Sequence, residues 1–120
     1  MKIALPIDGD NIESMINGSF GRTKKFLIAD SDTLEYDFAD NEQNLQAAQG
    51  AGIQSAQNIA ETGAQVLITL NCGPKAFKVL TSSEVKIYIG KKASAKDNIS
   101  AYLNGELEQM ASANQESHWV

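Results

Sequence analysis

Two of the residue types that most often carry chemistry are nearly missing from this chain, which has one cysteine, Cys72, and one histidine, His118. A single cysteine excludes an internal disulfide and a cysteine-rich zinc site, and it fits a reducing compartment, the cytoplasm. One histidine close to the end leaves no credible Ser-His-Asp or Cys-His arrangement. No phosphate-loop motif occurs. No apolar run approaches the roughly 20 residues that a membrane helix requires. Met1-Lys2 leads straight into a strand, so no signal peptide is expected. Positive charge is also short: ten Lys and Arg against fifteen Asp and Glu give a net charge of −5. That balance argues against nonspecific binding of nucleic acid, which relies on a basic surface.

What is present fits one domain of 120 residues with one core. Residues 49–80 organise it. Ala51, Ile53, Ala56, Ile59 and Ala60 share one broad helical face. Gly63 closes that helix, because glycine accepts a left-handed cap. Residues 64–70, AQVLITL, are short, aliphatic and β-branched, which predicts a strand buried on both faces. Asn71-Cys72-Gly73-Pro74-Lys75 comes next. Gly73 suits a sharp turn, and Pro74 suits the first position of a helix. Ala76, Phe77 and Leu80 then form the buried stripe of that second helix. Its first-turn N–H groups and Lys75 would together make a site for an anion, with Cys72 at its lip.

The remaining elements are read from pattern. Residues 2–7 and 26–30 read as strands. The loop between them, residues 8–25, contains Gly9, Gly18 and Gly21, and loops of that length are usually functional or mobile. Leu34, Tyr36 and Phe38 alternate with polar or small residues, predicting a half-exposed strand that forms a hairpin with 26–30. Residues 40–49 are polar and linker-like. Residues 85–89, VKIYI, predict the last strand, and Ser94 with Asp97 forms a capping pattern. Ile99, Tyr102, Leu103 and Leu107 line a final helix stopped at Gly105. Residues 1–107 are therefore expected as a single α/β domain, and 108–120 as a flexible tail. The two later strands should run parallel to the first through right-handed crossovers, giving a five-stranded mixed sheet flanked by about three helices.

Several side chains invite specific chemistry. Cys72 as a thiolate would be a soft ligand for copper or iron, and a helix N-terminus with Lys75 beside it would lower its pKa. The alternative is a small buried hydrophobe. Asp8, Asp10, Asp30 and Asp32 raise the possibility of two-metal phosphodiester hydrolysis, although aspartate is common in turns for backbone reasons. His118, beside Trp119, is either a ligand reaching back from the tail or an untethered tail residue. The basic residues after Lys2 fall in two blocks: Arg22, Lys24 and Lys25, then Lys75, Lys78, Lys86, Lys91, Lys92 and Lys96.

The opening KIALPID, the SFGRTKKFLIAD segment and GAGIQSAQNIAETGAQVLITLNCGPKAFKVL followed by VKIYIG resemble the dinitrogenase iron–molybdenum cofactor biosynthesis family, the NifX, NafY and NifB C-terminal type of domain. The resemblance covers about residues 2 to 104. It implies a ribonuclease H-like fold with strand order 3-2-1-4-5 and an antiparallel strand 2. It also implies a non-enzymatic carrier of an anionic metal–sulfur cluster, molybdenum with iron or copper, serving cofactor assembly or storage. The alternatives are a magnesium-dependent hydrolase and a ligand-free regulatory module. Both basic blocks would flank the anion site in the family's fold. Family members often have a histidine, a candidate cluster ligand, just before the Phe-Gly pair of the glycine loop. Here that position is Ser19, a poor metal ligand that can donate a hydrogen bond. The site expected is therefore Gly18, Ser19, Phe20, Gly21 and Arg22 facing Asn71, Cys72, Gly73, Pro74 and Lys75. It would hold its cargo by hydrogen bonds and charge, with Cys72 the one possible metal ligand. The expected partners are assembly or acceptor proteins, with no nucleic acid and no membrane, and the expected state is a monomer.

Overall fold

A computed structural model describes residues 1–18, 20–41 and 51–113. Ser19, the linker at 42–50 and the end of the chain with His118 and Trp119 lie outside the described residues. Among the described residues six strands are present: β1 Lys2–Ile7, β2 Lys25–Asp30, β3 Tyr36–Asp40, β4 Val66–Thr69, β5 Lys86–Ile89 and β6 Glu108–Gln109. Three α-helices accompany them: α1 Ala51–Glu61, α2 Pro74–Ser82 and α3 Ala95–Leu103. The sheet order is β3-β2-β1-β4-β5-β6. β1 is antiparallel to β2 and parallel to β4, and β4 is parallel to β5.

The expectation of five strands is corrected to six. β6 pairs antiparallel with β5 in a stretch whose composition predicts a loose tail. Two residues show no periodicity, so the pattern could not reveal them. The next residue fixes them in place: Met110 is buried, and its N–H donates to the Ile87 carbonyl at 2.7 Å. β3 also starts later than expected. Leu34 sits in the preceding turn at φ 63 and is exposed.

The sheet divides the core into two layers. On one face Ala4, Phe26, Leu67 and Ile87 pack against Ala56 and Ile59 of α1 and Ala76 and Leu80 of α2. On the other, Ile3, Leu5, Leu27, Val66 and Ile68 pack against Ala95 and Ile99 of α3 and against Ile16. β4 is buried at all four residues because helices cover both its faces. Gly63, at φ 80, closes α1 as expected. Ser94 caps α3, its Oγ accepting from the Asp97 N–H at 3.0 Å.

The long loop after β1 is pinned along its length. Asp8 N–H donates to the Met15 carbonyl and Ile16 N–H to the Ala93 carbonyl, while Ala95 and Lys96 donate to Ser14 and Ile12. The loop thus closes the first turn of α3 with its own carbonyls. The facing segment is held by Asn98, whose buried amide accepts from Lys91 N–H at 2.7 Å and donates to the Lys91 and Ser94 carbonyls. Gly90 has no room for a side chain there. A Cβ would lie 2.8 Å from Asn98 Oδ1, 2.9 Å from Ile68 Cγ2 and 3.1 Å from Ile16 Cδ1. Gly90→Ala should therefore lower unfolding free energy by about 1–3 kcal/mol through overpacking, read as a reduced midpoint in urea.

Candidate functional site

Because β1, β4 and β5 are parallel, their carboxyl ends share one end of the sheet, where open α/β sheets bind ligands. Both halves of the expected site are found there. The Gly18–Arg22 half contains a 3-10 turn, Phe20–Arg22, with Phe20 buried against Phe26. The other half is the turn between β4 and α2. The two touch: Asn71 Nδ2 donates to the Gly18 carbonyl at 2.5 Å.

At α2, Pro74 occupies the first helical position and Gly73 the cap. Phe77 N–H donates to the Gly73 carbonyl at 2.9 Å, leaving Lys75 and Ala76 to present the first-turn N–H groups. Lys75 is exposed. The sequence predicts that Gly73 serves a sharp turn, but its φ of −73 and ψ of 165 are open to any residue. A Cβ there would meet no atom within 4 Å. What glycine gives at this position is bare space in front of the helix.

Cys72 does not behave as a ligand poised at the lip. It is 1 % exposed, packs in the core layer under α1 and α2, and donates weakly to the Gly73 carbonyl at 3.7 Å. The expected lowering of its pKa is overturned. Burial pushes the thiol up to about 12, so it stays protonated at neutral pH. Among the described residues no group of three or more His, Cys, Asp or Glu could hold a metal ion.

A cleft of about 640 Å³ lies on the other flank of the glycine loop. Ile7, Asp8, Asp10, Asn17, Arg22, Lys24, Lys25, Phe38 and Asp40 line it. It therefore takes in Arg22 from the expected site but not the Asn71–Lys75 turn. Its three cations face three carboxylates. Lys25 binds Asp10 and holds that carboxyl below its usual range, and its ammonium lies 5.2 Å from the centre of the Phe38 ring. Asp8 accepts from Asn17 Nδ2 at 2.5 Å. The second basic block is split: Lys86 starts β5 at the far end of the sheet, and Lys91 pairs with Glu106 at 3.5 Å.

The four aspartates that suggested two-metal hydrolysis do not converge. Asp30 pairs with Lys2 at the start of β1, while Asp8 comes after its end. Six strand residues separate the two pairs by about 20 Å. Asp30 serves its turn: its carboxylate accepts from the N–H groups of Asp32 and Thr33, which lowers its pKa.

A buried polar network supports the site, and sequence reasoning missed it. Thr23, Asn41 and Ser55 are each 0 % exposed. Asn41 Nδ2 donates to the Thr23 carbonyl at 2.8 Å and to Ser55 Oγ at 3.0 Å, and Asn58 Nδ2 donates to Asn41 Oδ1 at 2.8 Å. Thr23 Oγ1 donates to the Ile7 and Lys25 carbonyls. The network ties the turn carrying Arg22 to the ends of β1 and β3 and to α1. The available signal was weak: Ser55 interrupts the apolar face of α1 at a position that packs inward.

Comparison with known proteins agrees with this architecture. The family model described as dinitrogenase iron-molybdenum cofactor matches residues 1–105. The chain is 33% identical over 111 residues to an uncharacterised protein of Methanocaldococcus jannaschii, covering 91% of each. It is similar to the apo form of the orange protein from Desulfovibrio gigas, with 30% identity, a TM-score of 0.89, and 95% of this chain and 96% of that one covered. A candidate NifB protein from Thermotoga gives 27% identity and a TM-score of 0.81, with 95% and 97% covered.

The site's construction sets two outcomes. Asn41→Ala takes a partner from the Thr23 turn and from Ser55 and Asn58 of α1 and should destabilise the protein by about 1–3 kcal/mol, with faster amide exchange at Thr23 and Lys25. For Cys72, the folded chain keeps a proton that the unfolded chain loses above its ordinary pKa of 9.0. That contribution is whole below this pKa and declines by up to about 1.4 kcal/mol per pH unit as pH rises toward the folded value. Urea midpoints should therefore fall more steeply in alkali for the native chain than for Cys72→Ala.

Proposed function

The chain belongs to the dinitrogenase iron–molybdenum cofactor family, and from that premise we propose that it is a non-enzymatic carrier of an anionic metal–sulfur cluster. The observation that carries this reading is the junction of the two loops through Asn71 and Gly18, which joins the loop carrying Arg22 to the turn that starts α2. The cargo would be a molybdenum-containing cluster with iron or copper, held without coordinate bonds from the chain. The donor set argues for that mode. The sole thiol is core-bound and protonated, so main-chain N–H groups, Arg22 and Lys75 are left to meet sulfide or oxo atoms. Charge-assisted hydrogen bonds contribute about 1.5–3 kcal/mol each, so several from both loops are required. Gly18 and Gly73 leave the approach open, since a Cβ on either meets nothing closer than 3.9 Å. In this reading residues 1–107, completed by β6 and Met110, act as one cluster-binding domain of ribonuclease H-like type. It works as a cytoplasmic monomer that exchanges cargo with assembly or acceptor proteins. Among the described residues no helix is long and apolar enough to cross a membrane.

Gly73→Val tests the site directly, because the backbone there tolerates a side chain. Anaerobic reconstitution with molybdate, sulfide and copper or iron should give the native chain a visible charge-transfer band. Gly73→Val, Arg22→Ala and Lys75→Ala should fold normally yet retain several-fold less of it, with retention weakening as salt rises. Cys72→Ala should keep the band. Loss of colour in Cys72→Ala, with the other three unaffected, would overturn the reading in favour of coordination.

A further inference from the structure

β3 forms one edge of the sheet, and among the described residues no strand pairs with its outer side. The ladder fixes which groups face outward. Glu35 and Asn41 bond toward β2, through Asp30 N–H to the Glu35 carbonyl and Asn41 N–H to the Lys24 carbonyl. Alternation then turns the main-chain groups of Tyr36, Phe38 and Asp40 to the open edge. Phe38 N–H is covered by its own neighbour, donating to Asp37 Oδ1 at 2.8 Å.

The side chains along this edge are unusual in kind. Tyr36 and Phe38 are exposed and packed edge-to-face at 5.8 Å. Glu35, Asp37 and Asp40 supply three negative charges on and beside β3, and Lys25, whose ammonium lies over the Phe38 ring, is paired with Asp10. Edge strands are commonly protected by charge, and this one repels a second copy of itself. The same charges attract a strand of opposite sign. The edge also runs into the cleft, since Phe38 and Asp40 line it.

We propose that the outer edge of β3 is a docking surface for an extended, lysine- or arginine-bearing segment of a second protein. It rests on the carrier reading only in naming that protein the cargo's acceptor. Recognition is an exchange. A carbonyl of the incoming strand takes over the Phe38 N–H, and the released Asp37 carboxylate pairs with a basic side chain of the same strand. A neutral strand offers the exposed Asp37 carboxylate no cation in place of its amide, so the exchange favours a basic strand. Tyr36 and Phe38 supply apolar contact beside the ladder.

The test uses the full chain without cargo, so its result is independent of cluster binding. Two short peptides of one alternating pattern, one with lysine and one with glutamate at the charged positions, are titrated into labelled protein and followed by amide shifts and hydrogen exchange. The lysine peptide should shift residues 36–40 and protect the Tyr36, Phe38 and Asp40 amides, and the glutamate peptide should do neither. Asp37→Asn, a surface change, should weaken the lysine peptide by about fivefold. Shifts spread over the acidic surface without protection at β3, or equal binding of both peptides, would overturn the proposal.

Discussion

A buried amide holds the functional end of this molecule together. Asn41 follows the end of β3, and its side chain reaches the Thr23 carbonyl, Ser55 on α1 and, through its oxygen, Asn58. A fully buried amide without partners would be strongly unfavourable, so the fold is stable only when the turn, the strand end and the helix arrive together. That requirement converts a glycine-bearing loop into a defined surface. Arg22 and Lys24 flank Thr23, so their starting positions are set by a network built on the residue between them.

Charge is arranged on the same end with more discrimination than the net value of −5 suggests. Arg22, Lys24 and Lys25 line a cleft that also contains Asp8, Asp10 and Asp40. Such a cleft is close to neutral and partly satisfied from within, as the Lys25–Asp10 pair shows. The start of α2 is different. It combines an exposed lysine, first-turn N–H groups and a glycine whose missing Cβ faces open space. Within the proposed carrier reading, the polyanion would lie between the start of α2 and Arg22, and the part of the cleft at Asp10, Lys25 and Phe38 would face whatever approaches along β3.

Much of the architecture could be read from residues because each element announced itself locally. Gly63 at a positive φ, Pro74 at the first position of α2 and Ser94 with Asp97 are local signals obeyed locally. The meeting of the glycine loop with the β4–α2 turn needed the family resemblance, since nothing in spacing joins Gly18 to Asn71. What stayed hidden depended on partners distant in sequence. β6 exists because Met110 finds a pocket and a β5 carbonyl, and a two-residue strand carries no period. Cys72 illustrates the opposite failure. Its neighbours in sequence, a helix start and a lysine, predicted a thiolate, but in space it belongs to a buried apolar cluster, and desolvation prevails. Asn41 fell in the segment read as a linker, and Ser55 gave only a weak signal, because the partners of a buried polar network are distant in sequence.

The burial of Cys72 bears on what the proposed carrier can do with its cargo. A metal–thiolate bond would hold a cluster firmly and make release depend on ligand exchange at that sulfur. In the proposed reading, hydrogen bonds from two loops and two cations would divide the grip among several modest contacts. Each could be surrendered in turn as an acceptor supplied its own. Removing the one thiol to the core would therefore favour passage over retention. It also explains why the architecture commits its buried polar groups to the shape of the loops: when no coordinate bond positions the cargo, selectivity has to come from where the amides point.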